Sequence, residues 1–246
     1  ILAGKDRTLT MGHTAENIDP GELRKFDAHA SRWWDPHGAF KPLHDINPLR
    51  LDYIAARADL EGKAVADVGC GGGLLSEGMA ARGARVTGVD MSESAVTVAR
   101  IHLLESRLDV EYLRLTAEAL AEQRRGTFDV VTCMELLEHG PDPGSVVHAC
   151  ATLVRPGGSV FLSTLNRTPK AYLFAVLGAE YLLQLLPKRT HDYAKFIRPS
   201  ELQSWCTGHG LGLRDLTGLG YNPLTRTYGL TRDVGVNYMM HAVKED

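Results

Sequence analysis

Short apolar runs and longer amphipathic stretches alternate along most of the chain. The short runs are rich in Val, Leu or Phe, end near Gly, Asp or Glu, and have the length of β-strands. They are Ala64–Val68, Arg85–Val89, Val110–Leu115, Phe128–Cys133 and Ser159–Thr164. The clearest helical stretches between them are Leu74–Arg82, Ser94–Ser106 and Pro143–Leu153. Strands and helices therefore alternate over residues 63–165, and this order predicts a parallel α/β sheet.

Segments on both sides of this core extend the predicted fold. Pro20–Trp34 and Asn47–Ala58 have helical patterns, and we expect them to form a cap over one edge of the sheet. Pro199–His209 predicts another helix. Leu213–Leu219 and Val236–Val243 are late strands that can pair as an antiparallel edge, which brings the predicted sheet to seven strands.

The composition is that of an ordinary globular protein. The chain has 246 residues, of which 44% are hydrophobic and 23% charged, with a formal net charge of −3, so one domain over 1–246 can bury a full core. The near-neutral balance, with no run of five like charges, argues against nucleic-acid binding. Four scattered cysteines without a CxxC pair, and no apolar leader, indicate a reducing, cytoplasmic location.

A glycine loop follows the first predicted strand. The segment Val65–Gly73 reads Val-Ala-Asp-Val-Gly-Cys-Gly-Gly-Gly and passes directly into the helix that begins near Leu74. Glycines at such a crossover let the backbone approach a ligand and direct helix N-terminal N–H groups towards it. Ligands of open α/β sheets bind at this end of the strands. A tight structural turn is the alternative interpretation.

Asp90 makes an adenosine-containing cofactor the favoured ligand. It ends the second strand, 21 positions after Gly69, which is the spacing of a carboxylate that binds ribose hydroxyls. The third glycine of the dinucleotide fingerprint G-x-G-x-x-G would fall at Leu74. Asp67 is unfavourable beside a pyrophosphate but suits the ammonium of an amino-acid moiety. These two departures favour S-adenosylmethionine over NAD.

Asp67–Gly73 together with Asp90 resembles the class I S-adenosylmethionine-dependent methyltransferases. Further segments, within about Phe26 to Met239, are similar to the ubiquinone-biosynthesis O-methyltransferase family. These segments are Ser31–Asp35, Lys41–His44, Asn47–Arg50, Cys133–His139, Ser163–Arg167, Thr190–Asp192 and Tyr221–Pro223. The resemblance implies an α/β, Rossmann-like, seven-stranded and mostly parallel sheet with an antiparallel edge strand. Its parts are then a flexible 1–18, a helical cap at 19–60, a cofactor-binding core at 61–166, an apolar helical insert at 167–198 after strand 5, and the rest of the sheet at 199–246.

The family's cofactor site can be carried over position by position. Gly69 and Asp90 would bind the cofactor, Met134 would pack on the adenine or face the sulfur, and Arg50 would bind the methionine carboxylate. A solvated Arg50 and a core Met134 are the alternatives. The other residues predicted at this site are Asp67, Gly71, Met91, Ala117 and Glu118.

Glu135, Glu138 and His139 follow the fourth strand and, if the segment is helical, share one face. The resemblance implies that they hold Mg²⁺, which would lower the pKa of a catechol hydroxyl and orient its oxygen. Two alternatives remain open: His139 acts as a metal-free general base, or the three residues cap the next helix. His191, beside Asp192, is a second candidate base; a loop hydrogen bond is its alternative role.

Ala171–Leu186 is apolar nearly all round, with only Glu180 and Gln184 strongly polar. Its 16 residues fall short of the roughly 20 needed to span a bilayer. A buried core helix is one interpretation; we favour an interfacial helix that also covers the substrate site. The protein would then be peripheral on the inner membrane face.

The sequence therefore predicts an S-adenosylmethionine-dependent O-methyltransferase of ubiquinone biosynthesis. The resemblance implies a polyprenyl catechol (2-polyprenyl-6-hydroxyphenol) or 3-demethylubiquinol as acceptor, and other quinone-biosynthesis proteins as partners. Competing hypotheses are methylation of another small or lipid acceptor, a nucleotide-binding dehydrogenase, and a cofactor-binding scaffold without turnover.

Overall fold

An eight-stranded sheet organises the residues that the computed structural model describes, which are 17–27, 30–38, 40–173 and 193–246. The strands are β1 (Ala64–Val68), β2 (Arg85–Val89), β3 (Val110–Leu113), β4 (Phe128–Met134), β5 (Val154–Leu165), β6 (Leu211–Asn222), β7 (Thr227–Thr231) and β8 (Asn237–Lys244). Their order is β3-β2-β1-β4-β5-β8-β6-β7. Strands β1 to β5 are parallel, and the pairings of β8 with β5, β6 with β8 and β7 with β6 are antiparallel.

The predicted α/β class, the parallel core and the antiparallel edge are confirmed, but the described sheet has one strand more than predicted. The additional strand, β7, reads Thr-Tyr-Gly-Leu-Thr and lacks an apolar run that would mark it as a strand. It is formed by pairing with the end of β6, for example Tyr221 with Tyr228. Cross-strand contacts, not the local pattern, therefore determine this strand.

The helices are α1 (Pro20–Asp27), α2 (Lys41–Ala55), α3 (Leu74–Ala80), α4 (Glu93–Ser106), α5 (Ala117–Gln123), α6 (Pro143–Leu153) and α7 (Pro199–Gly208). Side chains of Ser92, Thr116 and Asp142 cap α4, α5 and α6 by accepting a backbone N–H three residues on. Residues 169–173 are also helical. Within the described ranges, none of the helices has the length and apolar character needed to cross a bilayer.

The N-terminal helix is shorter than predicted. α1 ends at Asp27, Ala30–Arg32 forms a 3-10 turn, and Trp33 and Trp34 lie in turns. Both indoles contact the glycine loop, and adjacent residues of one α-helix point in different directions, so a continuous helix could not place both there. The second cap helix, α2, begins at Lys41 instead of Asn47.

Two apolar layers cover the two faces of the sheet. α5, α6 and α7 pack on one face with residues such as Leu120, Val147 and Leu202. α2, α3 and α4 pack on the other with residues such as Ile54 and Met79. The helices thus return the chain to the amino end of each strand, and the carboxyl ends of β1, β2 and β4 meet at one edge beneath α1 and α2.

Candidate active site

A cavity of about 420 Å³ opens at this edge of the sheet. The residues predicted for cofactor binding all line it: Arg50, Asp67, Gly69, Gly71, Asp90, Met91, Ala117, Glu118 and Met134. Glu135, Glu138 and His139 line the same cavity. His191, and all of the predicted apolar helix beyond residue 173, lie outside the described residues. The fold thus brings twelve of the thirteen predicted site residues to one place.

Asp90 is built into the glycine loop. Its Oδ2 accepts the Gly71 N–H at 2.9 Å, and its Oδ1 accepts the Ser92 N–H at 2.8 Å. Burial raises the pKa of this carboxyl. Gly71 has φ +53°, a conformation that favours glycine. The carboxylate predicted to bind ribose is therefore held in place before any ligand arrives.

Two tryptophans, whose role the sequence did not suggest, pack on the loop. A Cβ atom at Gly71 or Gly72 would lie 2.3 Å from the Trp33 ring, so these positions have no room for a side chain. The Trp34 indole N–H donates to the Gly72 carbonyl at 2.9 Å, and its ring stacks on His102. The Ser31–Asp35 motif, one of the segments that resemble the family, thus fixes the glycine loop from the side of the helical cap.

Arg50 and Asp67 differ in how their charges are satisfied. Both oxygens of Asp67 accept hydroxyl hydrogen bonds, from Ser76 at 2.6 Å and from Thr132 at 2.7 Å, while burial raises its pKa. The Arg50 side chain is only 7% exposed and lies 3.2 Å from Glu135. That contact is an ion pair of Nη2 with Glu135 Oε1 without hydrogen-bond geometry, so within the described structure neither Nη2 nor Nε donates a hydrogen bond. A buried guanidinium with unused donors suits a carboxylate ligand.

The acid-acid-histidine segment is a turn and not a helix, so the expected common helical face is wrong. Glu135 has φ +54°, and its Oε1 accepts from Ser163 at 2.7 Å and from Asn237 at 3.0 Å. Glu138 accepts from Thr164 at 2.7 Å, and His139 Nδ1 lies 3.1 Å from Glu22. The capping alternative is wrong too, because Asp142 caps α6.

The predicted magnesium site does not fit this arrangement. Among the described residues, no three His, Cys, Asp or Glu side chains stand close enough together to hold a metal ion. Glu135 Oε1 accepts hydrogen bonds from Ser163 and Asn237 and forms an ion pair with Arg50, so these protein groups fix the orientation of the carboxylate. The three predicted ligands share a cavity but not one coordination point.

Burial, followed by the charge of Glu135, raises the pKa of Glu138 to about 7. Burial opposes protonation of His139, but the hydrogen bond to Glu22 and the charges of Glu138 and Glu135 outweigh it and raise its pKa. Glu138 therefore exchanges its proton close to neutral pH, and the acidic surroundings of His139 favour an imidazolium that has accepted a proton, as a general base must.

Glu138→Gln should stabilise the fold more at pH 8 than at pH 5. The carboxyl is more readily protonated in the folded state, so wild-type stability falls as pH rises from about 4.5 to about 7. The rise in pKa corresponds to a loss of about 3 kcal/mol in the free energy of unfolding at high pH, and an uncharged glutamine does not incur this loss. Urea unfolding at both pH values measures the difference. An equal effect of the substitution at the two pH values would contradict the buried, ionisable state of Glu138.

Asn17 and Glu22 are functional-site residues that the sequence analysis missed. Asn17 Nδ2 donates to Glu118 Oε1 at 3.0 Å, and Glu22, on α1, contacts His139. Asp19 also anchors this segment, by a 2.9 Å ion pair with Lys195. No local motif marks these positions, because their partners are more than a hundred residues away in the chain.

The comparisons with known proteins agree with this geometry. A methyltransferase domain model matches residues 66–162. Magnesium protoporphyrin IX methyltransferase from Synechocystis PCC 6803, solved with bound SAH, superposes with a TM-score of 0.68 at 20% identity over 92% of this chain and 100% of that chain. A possible histamine N-methyltransferase from Thermotoga maritima gives a TM-score of 0.64 at 16% identity, covering 91% and 100%. The fold and the cavity together define a class I methyltransferase.

Curated relatives define the family more narrowly. A ubiquinone biosynthesis O-methyltransferase from Stutzerimonas stutzeri (strain A1501) is 61% identical over 93% of this chain and 99% of its own length. One from Azoarcus sp. (strain BH72) is 63% identical, covering 93% and 98%. The chain belongs to the ubiquinone biosynthesis O-methyltransferase family.

Proposed function

We propose that this S-adenosylmethionine-dependent O-methyltransferase methylates a phenolic hydroxyl of a polyprenyl catechol (2-polyprenyl-6-hydroxyphenol), of 3-demethylubiquinol, or of both. The supporting observation is a single cavity that Gly69–Gly71 and Asp90 line together with Glu138 and His139. A cofactor and an acceptor bound there together can meet in line without a covalent enzyme intermediate.

S-adenosylmethionine supplies an electrophilic methyl group, and the chain positions it. In this proposal Asp90 accepts hydrogen bonds from the ribose hydroxyls, because its two oxygens are fixed by Gly71 and Ser92. Arg50 binds the methionine carboxylate with its unused donors. Met134, 8% exposed at the end of β4, provides a soft apolar contact to the adenine or the sulfur.

The acceptor must lose a proton, because a phenol with a pKa of about 10 is mostly protonated and weakly nucleophilic at pH 7. His139 takes that proton, while Glu22 and Glu138 stabilise the resulting imidazolium. The phenolic oxygen forms a bond to the methyl carbon as the carbon–sulfur bond breaks. The products are the methyl ether and S-adenosylhomocysteine.

The proposal includes contact with a membrane. A polyprenyl tail partitions into a bilayer, and Ala171–Leu186 is a long apolar run between Arg167 and Lys188. We therefore place the protein peripherally on the inner membrane face, with this segment at the interface and other quinone-biosynthesis proteins as candidate partners.

Methyl transfer from labelled S-adenosylmethionine to a short-tailed prenyl catechol tests the function. We expect a methyl ether product from the wild-type chain. Cofactor binding by calorimetry without transfer would overturn the proposed acceptor and favour the scaffold hypothesis. The same assay with EDTA, and then with Mg²⁺ restored, tests the magnesium prediction: loss and recovery of activity would give Glu135, Glu138 and His139 a metal role that their present arrangement lacks.

A further inference from the structure

The β6–β7 hairpin projects beyond the edge of the sheet at which the cavity opens. Leu165, at the carboxyl end of β5, pairs with Asn237 of β8, which in turn pairs with Leu219 of β6. β6 then continues for three residues to Asn222, which corresponds to about 10 Å. The turn between Asn222 and Thr227 is therefore the outermost part of this edge of the sheet.

The hairpin presents an exposed apolar side chain on an ordered turn. Leu224 is 93% exposed, the largest exposure among the described large hydrophobic residues. Asn222 Oδ1 accepts the Leu224 N–H at 3.0 Å, and the rings of Tyr221 and Tyr228 lie 4.9 Å apart across the two strands. The exposure of Leu224 thus belongs to a defined conformation, in which water contacts nearly the whole side chain.

The charges around this tip are mainly positive. Arg226, at the turn, and Arg232, after β7, are exposed. Asp233 is the single acidic residue of 218–236, and it forms an ion pair with Lys170. That pair holds the β7–β8 loop next to Tyr172 and Leu173, which are 47% and 56% exposed. Among the residues that the structure describes, neither arginine forms an ion pair, and an apolar tip with such cations is complementary to anionic lipid.

We propose that the tip of the β6–β7 hairpin, through Leu224 and Arg226, docks on the surface of an anionic phospholipid bilayer. The inference rests on the proposed function, because a polyprenyl acceptor must be collected from a bilayer. α2 packs on β7 and also carries Arg50 to the cavity. Docking of the hairpin therefore brings the cavity's cap next to the lipid surface that holds the substrate.

Flotation with phosphatidylethanolamine–phosphatidylglycerol vesicles tests the docking. Leu224→Ser should lower vesicle affinity about tenfold, because the leucine no longer enters the lipid. Arg226→Gln should lower it about fivefold on these vesicles and leave binding to pure phosphatidylcholine unchanged. The matched control is Leu104→Ser. Leu104 is 79% exposed near the end of α4, at the opposite edge of the sheet, and its variant should bind as wild type does.

A wild-type chain that does not float, or Leu224→Ser floating as well as Leu104→Ser, overturns the docking. The short-tailed acceptor, assayed without vesicles, separates this failure from failure of the proposed function. Wild type and both hairpin variants should turn it over equally, whereas KM for a long-tailed acceptor in vesicles should rise in Leu224→Ser. Absence of wild-type turnover refutes the proposed function; normal turnover with unimpaired vesicle binding by both hairpin variants refutes the docking alone.

Discussion

His139→Gln should lower kcat by about 10²–10⁴-fold while leaving the affinity for S-adenosylmethionine unchanged. Glutamine keeps a polar side chain of similar size beside Glu22 but cannot accept a proton near neutral pH. The variant must therefore use the small fraction of acceptor that is already ionised. Its rate should rise about tenfold per pH unit between pH 7 and 9, because the phenol has a pKa of about 10, whereas the wild-type rate should level off once His139 is deprotonated.

Single-turnover rates from pH 6 to 9, with calorimetry for the cofactor, measure both effects. His148→Gln is the matched control. His148 lies on α6, outside the cavity, and contacts His209 at the end of α7, so its loss should leave the rate unchanged. Parallel pH profiles for wild type and His139→Gln would show that His139 does not remove the proton.

Gly71→Ala should destabilise the fold by about 2–5 kcal/mol and weaken cofactor binding at least tenfold. A residue with a Cβ atom at φ +53° costs about 1–2 kcal/mol. The new methyl group would also lie 2.3 Å from a ring carbon of Trp33, which is 8% exposed and packs against Phe40, and such overpacking adds about 1–3 kcal/mol. Relief of this clash requires the ring or the loop to move, and movement of the loop displaces the Gly71 N–H that binds Asp90.

Gly62→Ala separates the two contributions. Gly62 has φ +68°, but a Cβ atom there would have nothing within 4 Å, so this variant should show the conformational cost alone. Gly71→Ala should also cost less stability in a Trp33→Ala background than in the wild-type chain, because the clashing ring is then absent. Urea unfolding and calorimetry give the two quantities. Equal losses for Gly62→Ala and Gly71→Ala would refute the steric role of Trp33.

The parts of the site that could be predicted are those whose residues lie within a short stretch of the sequence. A glycine loop between a strand and a helix, with an acid at the end of the next strand, is typical of one crossover of a parallel sheet. The structure places the two together, since the Gly71 N–H donates to Asp90. Local periodicity also places β1 to β5 in one sheet, since each run must bury its side chains on both faces.

The rest depends on contacts between distant segments. The spacing of Glu135, Glu138 and His139 would give them one face if the segment were helical. Instead the backbone enters the left-handed region at Glu135, and Ser163 and Asn237 donate to its carboxylate from two other strands. Pro20–Trp34 has a helical pattern, yet packing of Trp33 and Trp34 on the loop breaks it. In both places a tertiary contact overrides the local preference, and a single sequence does not record the partner.

The position of β8 between β5 and β6 has a consequence for biosynthesis. Asn237, the first residue of β8, donates to Glu135, so a residue made 102 positions later in translation holds a side chain that lines the cavity. While the ribosome still conceals this segment, β5 has an unpaired edge that invites wrong pairing with other chains. The nascent enzyme therefore acquires a finished cavity only when β8 inserts, and this long-range closure is the step most exposed to aggregation during translation.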